Sequence, residues 1–258
     1  TRGQVDGLRA FIKKSIVTGD DKEFLYAIEH GRIRPSKSLQ EAIAKMLKGN
    51  QEFIMLDEQK VVFEEILHIS RHCKEDGRKR VIIVQGGPGT GKTVVAINLL
   101  AQLTNEGQFC QYVSKNSAPR NVYQKKLKGE MQKSSIENMF KGSGIYTEAE
   151  EGIVDTILVD EAHRLNEKSG MFHNIGENQI KEIIHAARCS VFFIDERQRV
   201  TLSDIGSVSE IEKWAGAETD EVIHMELVSQ FRCNGSDGYL AWIDHTLEIR
   251  RTANWDME

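Results

Sequence analysis

The sequence predicts an α/β fold: a parallel sheet of about five strands covered by helices on both faces, with a helical extension in front. Three observations carry this. Short β-branched runs alternate with amphipathic helical stretches from residue 56 onward. The runs are apolar on both faces, as strands buried in a parallel sheet must be. Each run is followed at once by a glycine-rich or charged cluster, and ligands of such sheets bind beyond the C-terminal strand ends.

The elements follow in order. Residues 1–50 read as a helical N-terminal extension, with apolar residues of "SLQEAIAKMLKG" at helical spacing and a Gly after them. Residues 51–258 read as the sheet domain. "LDEQKVVFEEILHISRH" is an amphipathic helix, "EDGRK" a turn and "VIIVQ" the first strand. A Gly-rich loop and the helix "KTVVAINLLAQL" come next. "FCQYVS" is the second strand and "APRNVYQKKL" a helix. The polar stretch 129–152 reads as an irregular excursion. "DTILVDEAHR" holds the third strand, "NQIKEIIHAAR" a helix and "SVFFIDERQ" the fourth strand. "SVSEIEKWAG" opens on a capping box, Ser207 to Glu210, and closes on Gly216. "EVIHMEL" is the fifth strand and "GYLAWIDHTLEI" a last helix.

Composition narrows the class. With 258 residues, 40% hydrophobic and 28% charged, the chain is long enough to bury a sizeable core. No apolar run approaches the roughly 20 residues that span a bilayer, so no membrane partner is expected. The polar start "TRGQVDGLRAFIKK" has no signal-peptide pattern and no initiator Met, which reads as a fragment or a processed chain. Cys73, Cys110, Cys189 and Cys233 are far apart and form no C-x-x-C pair, so free thiols in a cytoplasmic setting are expected. The net charge of −5 argues against a generally basic polyanion-coating protein, yet residues 111–145 alone carry a net +5. That stretch is either a local polyanion-binding face or a solvated helix surface.

The chemistry concentrates at the strand ends. "GGPGTGKT" places Gly86, Gly87, Pro88, Gly89, Thr90, Gly91, Lys92 and Thr93 between a strand and a helix. Its glycines let backbone N–H groups converge on one anion, and the helix that follows adds its positive end. Lys92 would neutralise the β- and γ-phosphates of a nucleotide, and the Thr93 hydroxyl would meet Mg²⁺. In "TILVDEAHR", Asp160 would hold that Mg²⁺, usually through water, and Glu161 would orient or deprotonate an attacking water. His163 either couples this site to a neighbouring element or simply packs.

"GGPGTGKT" followed by "VDEAHR" resembles the first motor domain of superfamily 1 helicases, a RecA-like P-loop NTPase fold. More closely, the chain is similar to the bacterial Schlafen-helicase-like ATPases. "RIRPSKSL", "LDEQKVVFEEIL", "YVSKNSAPRNVY", "VDEAHRLNEKSG", "FFIDERQRVTLSDIG" and "SQFRCNGSDGYLAWID" carry that likeness over most of residues 30–245. The resemblance implies ATP as ligand. It makes Gln59 the adenine-reading glutamine, although by residue type alone it reads as a surface helix Gln. It makes Gln198 the sensor of the γ-phosphate and Arg232 an arginine that reaches it. The usual helicase form has Gly before the Asp of "DERQ"; here Ile194 stands there. The resemblance also implies single-stranded DNA or RNA as a partner, touched by Ser114, Lys115, Asn116 and Arg120. Tyr112 and Tyr123 would stack on bases or belong to the core.

A superfamily 1 motor has a second domain that completes the nucleotide site, and the residues after "SQFR" are too few for another sheet. Two readings stand: the ATPase domain of a helicase or translocase, and a nucleotide-gated switch that does not move along anything. A small-molecule P-loop kinase is the weakest alternative, because kinases need an acceptor pocket and basic lid residues.

Overall fold

A computed structural model of the chain describes residues 55, 57–117, 121, 133–170, 174–199, 201, 203–229 and 244–249. The expected N-terminal extension, most of the helix at 118–127, Arg120, Tyr123, Arg232 and the first half of the last helix lie outside the described residues.

Helix α1 (Asp57–Asp76) leads through a turn into β1 (Arg80–Gly86), then the phosphate loop and α2 (Lys92–Asn105). Strand β2 (Cys110–Val113) follows. The stretch expected to be irregular holds a short helix, α3 (Lys133–Met139), and a two-residue strand, β3 (Phe140–Lys141). Then come β4 (Val154–Val159), α4 (Gln179–Ala186), β5 (Ala187–Ile194), α5 (Val208–Glu218) and β6 (Glu221–Leu227). The strands form one sheet in the order β3-β2-β4-β5-β1-β6. Every described strand pairing is parallel. The sixth strand is β3, which pairs with β2 at the sheet edge through Tyr112 and Val113.

The strands read as unbroken apolar runs because each serves two cores. In β1, Ile82 and Val84 pack with α1 and α2, while Val81 and Ile83 face α4 and α5. In β5, Val191 and Phe193 join the first cluster and Phe192 and Ile194 the second. This is the period-two alternation of a strand with both faces covered. Among the described residues no helix is long and apolar enough to cross a membrane. Among the described residues Cys73, Cys110 and Cys189 are buried free thiols.

Two element ends differ from the expectation. Strand β5 starts at Ala187, so "AAR" is split between helix and strand; pairing of Ala187 with Val154 and of Cys189 with Arg80 draws the chain into the sheet early. Helix α5 runs through Gly216 to Glu218. Its capping box is half formed. The Ser207 hydroxyl accepts from the N–H of Glu210 at 3.1 Å, but the Glu210 carboxylate turns to Lys213 and to the Trp214 indole N–H.

Candidate active site

The three strands that carry the motifs lie side by side, with β5 between β1 and β4. Their C-terminal ends bring the phosphate loop, the acid pair and the "DERQ" turn to one rim of the sheet.

The phosphate loop is closed on itself. Lys92 is buried, and its ammonium donates to the carbonyls of Gly86 at 2.7 Å and Gly87 at 2.9 Å. The Thr90 hydroxyl donates to Gly87 O at 3.0 Å. Gly91, the N-cap of α2, has φ +88°, a conformation that side chains resist. A Cβ there would collide with the Gln59 amide. Gln59 is itself buried, and its Nε2 donates to Thr90 O at 3.0 Å. It is not a surface residue: α1 delivers it to the phosphate loop. The preceding Glu58 accepts from the backbone N–H groups of Val228 at 2.6 Å and Ser229 at 3.0 Å, just beyond β6. One helix turn thus fastens both the phosphate loop and the exit of β6.

The acid pair sits across from α2. Asp160 Oδ2 accepts from the Thr93 hydroxyl at 2.9 Å and the Tyr112 hydroxyl at 2.5 Å, and Oδ1 accepts from Glu161 N at 3.0 Å. Tyr112 is a core residue, packed against Phe140, and its phenol orients the carboxylate. Burial raises the pKa of Asp160, assisted by repulsion from Glu161 and opposed by the hydroxyl donors. A buried carboxylate beside a threonine hydroxyl suits a hard divalent cation that keeps water and phosphate oxygens as its other ligands. Among the described residues no three His, Cys, Asp or Glu side chains gather to hold a metal alone.

Glu161 has the left-handed backbone conformation (φ 54°, ψ 44°), uncommon for a residue with a side chain. This turn sends its carboxylate to His163, whose Nε2 lies 3.0 Å from Oε2. That hydrogen bond holds the Glu161 carboxyl below its usual range against the opposing effect of burial. The other ring nitrogen, Nδ1, accepts from Asp195 N at 3.4 Å. His163 therefore both packs and links, and one tautomer, protonated on Nε2, satisfies both contacts. Asp195 in turn accepts from Gln198 Nε2 at 2.8 Å and from Arg197 N at 3.1 Å. An unbroken chain of contacts runs from Glu161 through His163 and Asp195 to Gln198. Ile194, at the place of the usual Gly, is buried in the second core cluster.

The residues expected to touch a nucleic-acid strand divide. Ser114 is buried and its N–H donates to Lys141 O at 3.3 Å. Asn116 is exposed. Lys115 donates to Asn166 Oδ1 at 2.9 Å and to Asp204 Oδ1 at 3.1 Å. Sequence reasoning passed over Asp204, Glu58 and the hydroxyl of Tyr112. Asp204 and Glu58 find their partners 89 and 170 residues away, and no local pattern signals that. Tyr112 was considered for its ring alone.

A glycine-rich loop between an interior parallel strand and a helix, with an acid pair two strands away, defines a P-loop NTPase. A family model described as "Schlafen group 3, DNA/RNA helicase domain" matches residues 79–258, and the chain belongs to that family. No match was found among curated proteins. Among solved structures the chain is similar to a DNA replication initiation factor (15% identity, 79% of this chain and 55% of that one, TM-score 0.39). It is also similar to AMPPCP-bound DnaA from Aquifex aeolicus (15% identity, 82% and 57%, TM-score 0.38). A third is C. elegans PCH-2 (14% identity, 81% and 50%, TM-score 0.34). The chain spans little more than half the length of the first two.

Proposed function

We propose that the chain is the first motor domain of a superfamily 1-like DNA or RNA helicase or translocase, binding and hydrolysing ATP with Mg²⁺. The observation that carries the reading is the meeting of Thr93 with Asp160 at 2.9 Å, which joins the phosphate loop to the acid pair. Lys92 exchanges the carbonyls of Gly86 and Gly87 for phosphate oxygens. Thr93 and Asp160 hold the metal, which supplies charge neutralisation at the phosphates. Glu161, kept ionised by His163, accepts a proton from the attacking water. Gln198 responds to the γ-phosphate and shares its state with Glu161 through Asp195 and His163. Gln59 reads adenine from the edge of the loop, and Arg232 stabilises charge in the transition state. A helical extension at residues 1–50, a second motor domain in a longer parent chain and a cytoplasmic setting belong to the same proposal.

A nucleotide-gated switch is the second reading, favoured by the net charge of −5 and by Ile194 in place of Gly. Mg-ATP binding and turnover, measured with and without single-stranded DNA and RNA, separate the two. Turnover that rises with polymer supports a motor, and turnover indifferent to polymer supports a switch. Lys92→Ala should abolish thermal stabilisation by Mg-ATP; undiminished stabilisation would sink the nucleotide site itself.

A further inference from the structure

We propose that Asp204 is a positioning residue that sequesters Lys115 from a phosphodiester backbone, so that this cation joins a nucleic-acid contact only after exchanging one anion for another. The inference rests on the nucleic-acid part of the function proposed above. The Asp204 side chain is fully buried, whereas Lys115 and Arg164 remain 27% and 26% exposed. Its carboxylate lies where three motif loops meet. Oδ1 accepts from Lys115 Nζ at 3.1 Å, beyond β2. Oδ2 accepts from Thr201 N at 3.0 Å and pairs with Arg164 Nε at 3.2 Å, beyond β5 and β4 respectively.

Two properties make Lys115 the releasable partner. First, Asp204 keeps Arg164 as counter-ion when Lys115 leaves, so release does not strand a buried charge. Second, among the described residues the Lys115 ammonium meets only side chains, Asp204 and Asn166, and it keeps the partial exposure given above. A lysine already neutralised inside the protein releases no additional counter-ion when a phosphate approaches. It therefore adds nothing to the salt dependence of binding. Arg164 stands three residues after Glu161, so the carboxylate that holds Lys115 is in direct contact with the acid-pair turn.

The test is the affinity of the chain for fluorescein-labelled oligothymidylate and oligouridylate between about 50 and 300 mM salt, in wild type, Asp204→Asn, Lys115→Gln and the double variant. In wild type, Lys115→Gln should leave affinity and slope unchanged. Asp204→Asn should steepen the slope of log affinity against log salt by about 0.7 and tighten binding about fivefold near 0.1 M salt, the share of one single-strand phosphate contact. Lys115→Gln in the Asp204→Asn background should erase that gain. Glu167→Gln removes a like charge from the cavity of 380 Å³ that Asp204, Glu167, Arg199 and Trp214 help to line, and should not reproduce it. A Lys115→Gln variant that flattens the wild-type slope overturns the proposal, even if Asp204→Asn fails to fold. An equal gain in Glu167→Gln, or a gain that survives without Lys115, also overturns it. Wild type binding neither strand would overturn the nucleic-acid reading along with it.

Discussion

At the scale of single residues, Asp160 concentrates the conflict between folding and function. Its carboxylate is buried at the end of β4, where burial favours the protonated form. The folded-state pKa is raised above the unfolded one. The group therefore favours folding at low pH, below about pH 4, and this contribution is lost as pH rises through the folded pKa. Above the folded pKa the ionised side chain burdens the nucleotide-free protein. Asp160→Asn should raise its melting temperature by about 2–4 °C at pH 7, the effect of roughly 1 kcal/mol in a chain this long. The gap should close toward pH 4. Thermal unfolding of both proteins from pH 4 to 8, without nucleotide or metal, checks this. A gap independent of pH would remove ionisation as its cause. The acid pair itself was legible in "VDEAHR", and so was its partner Thr93 in "GGPGTGKT". The tyrosine that orients Asp160 was not, because a strand residue shows neither which face it takes nor where its hydroxyl ends.

At the scale of elements, the turns after β4 and β5 are pressed together. Ile205 N donates to Leu165 O at 2.8 Å. Gly206 lies so close that a Cβ would land on the Ala162 carbonyl and 2.6 Å from the Cα of His163. Nothing but glycine fits there without displacing the turn that holds Glu161 and His163. Gly206→Ala should cost about 1–3 kcal/mol in stability, as overpacking a tight contact does. Turnover should fall further than that loss explains, because the displaced turn carries the proposed base. Urea unfolding and steady-state turnover on the same sample test this; unchanged turnover in a destabilised protein would confine Gly206 to packing. Elements of this kind explain what the sequence showed and what it hid. Strands β1, β4 and β5 were plain because continuous apolar runs have few other solutions in a covered sheet. Helix α3 and strand β3 were missed because a seven-residue helix and a two-residue strand carry no measurable period. They exist through contacts with β2. The end of α5 was misplaced because Gly216 lies open to space and meets no steric reason to stop the helix.

At the scale of the whole molecule, the order of strands matters more than any one of them. Strand β5, which leads straight into the turn of Asp195 and Gln198, is paired on one side with the phosphate-loop strand and on the other with the acid-pair strand. Helices cover both faces of this triplet, and the sheet's edges are β3 and β6, each at least one strand removed from β5. The order of motifs along the chain was readable, but their order across the sheet was not, since it depends on which crossovers skip a neighbour. The consequence belongs to hydrogen exchange. Backbone amides of β5 and of its bonds to β1 and β4 should exchange only through global unfolding, whereas those of the edge strand β6 should exchange through smaller openings that leave the rest intact. Exchange mass spectrometry with rising denaturant should show protection at 187–194 falling with the global unfolding free energy and protection at 221–227 falling earlier. The phosphate loop, the acid pair and the "DERQ" turn are thus hung on the part of the chain that opens last.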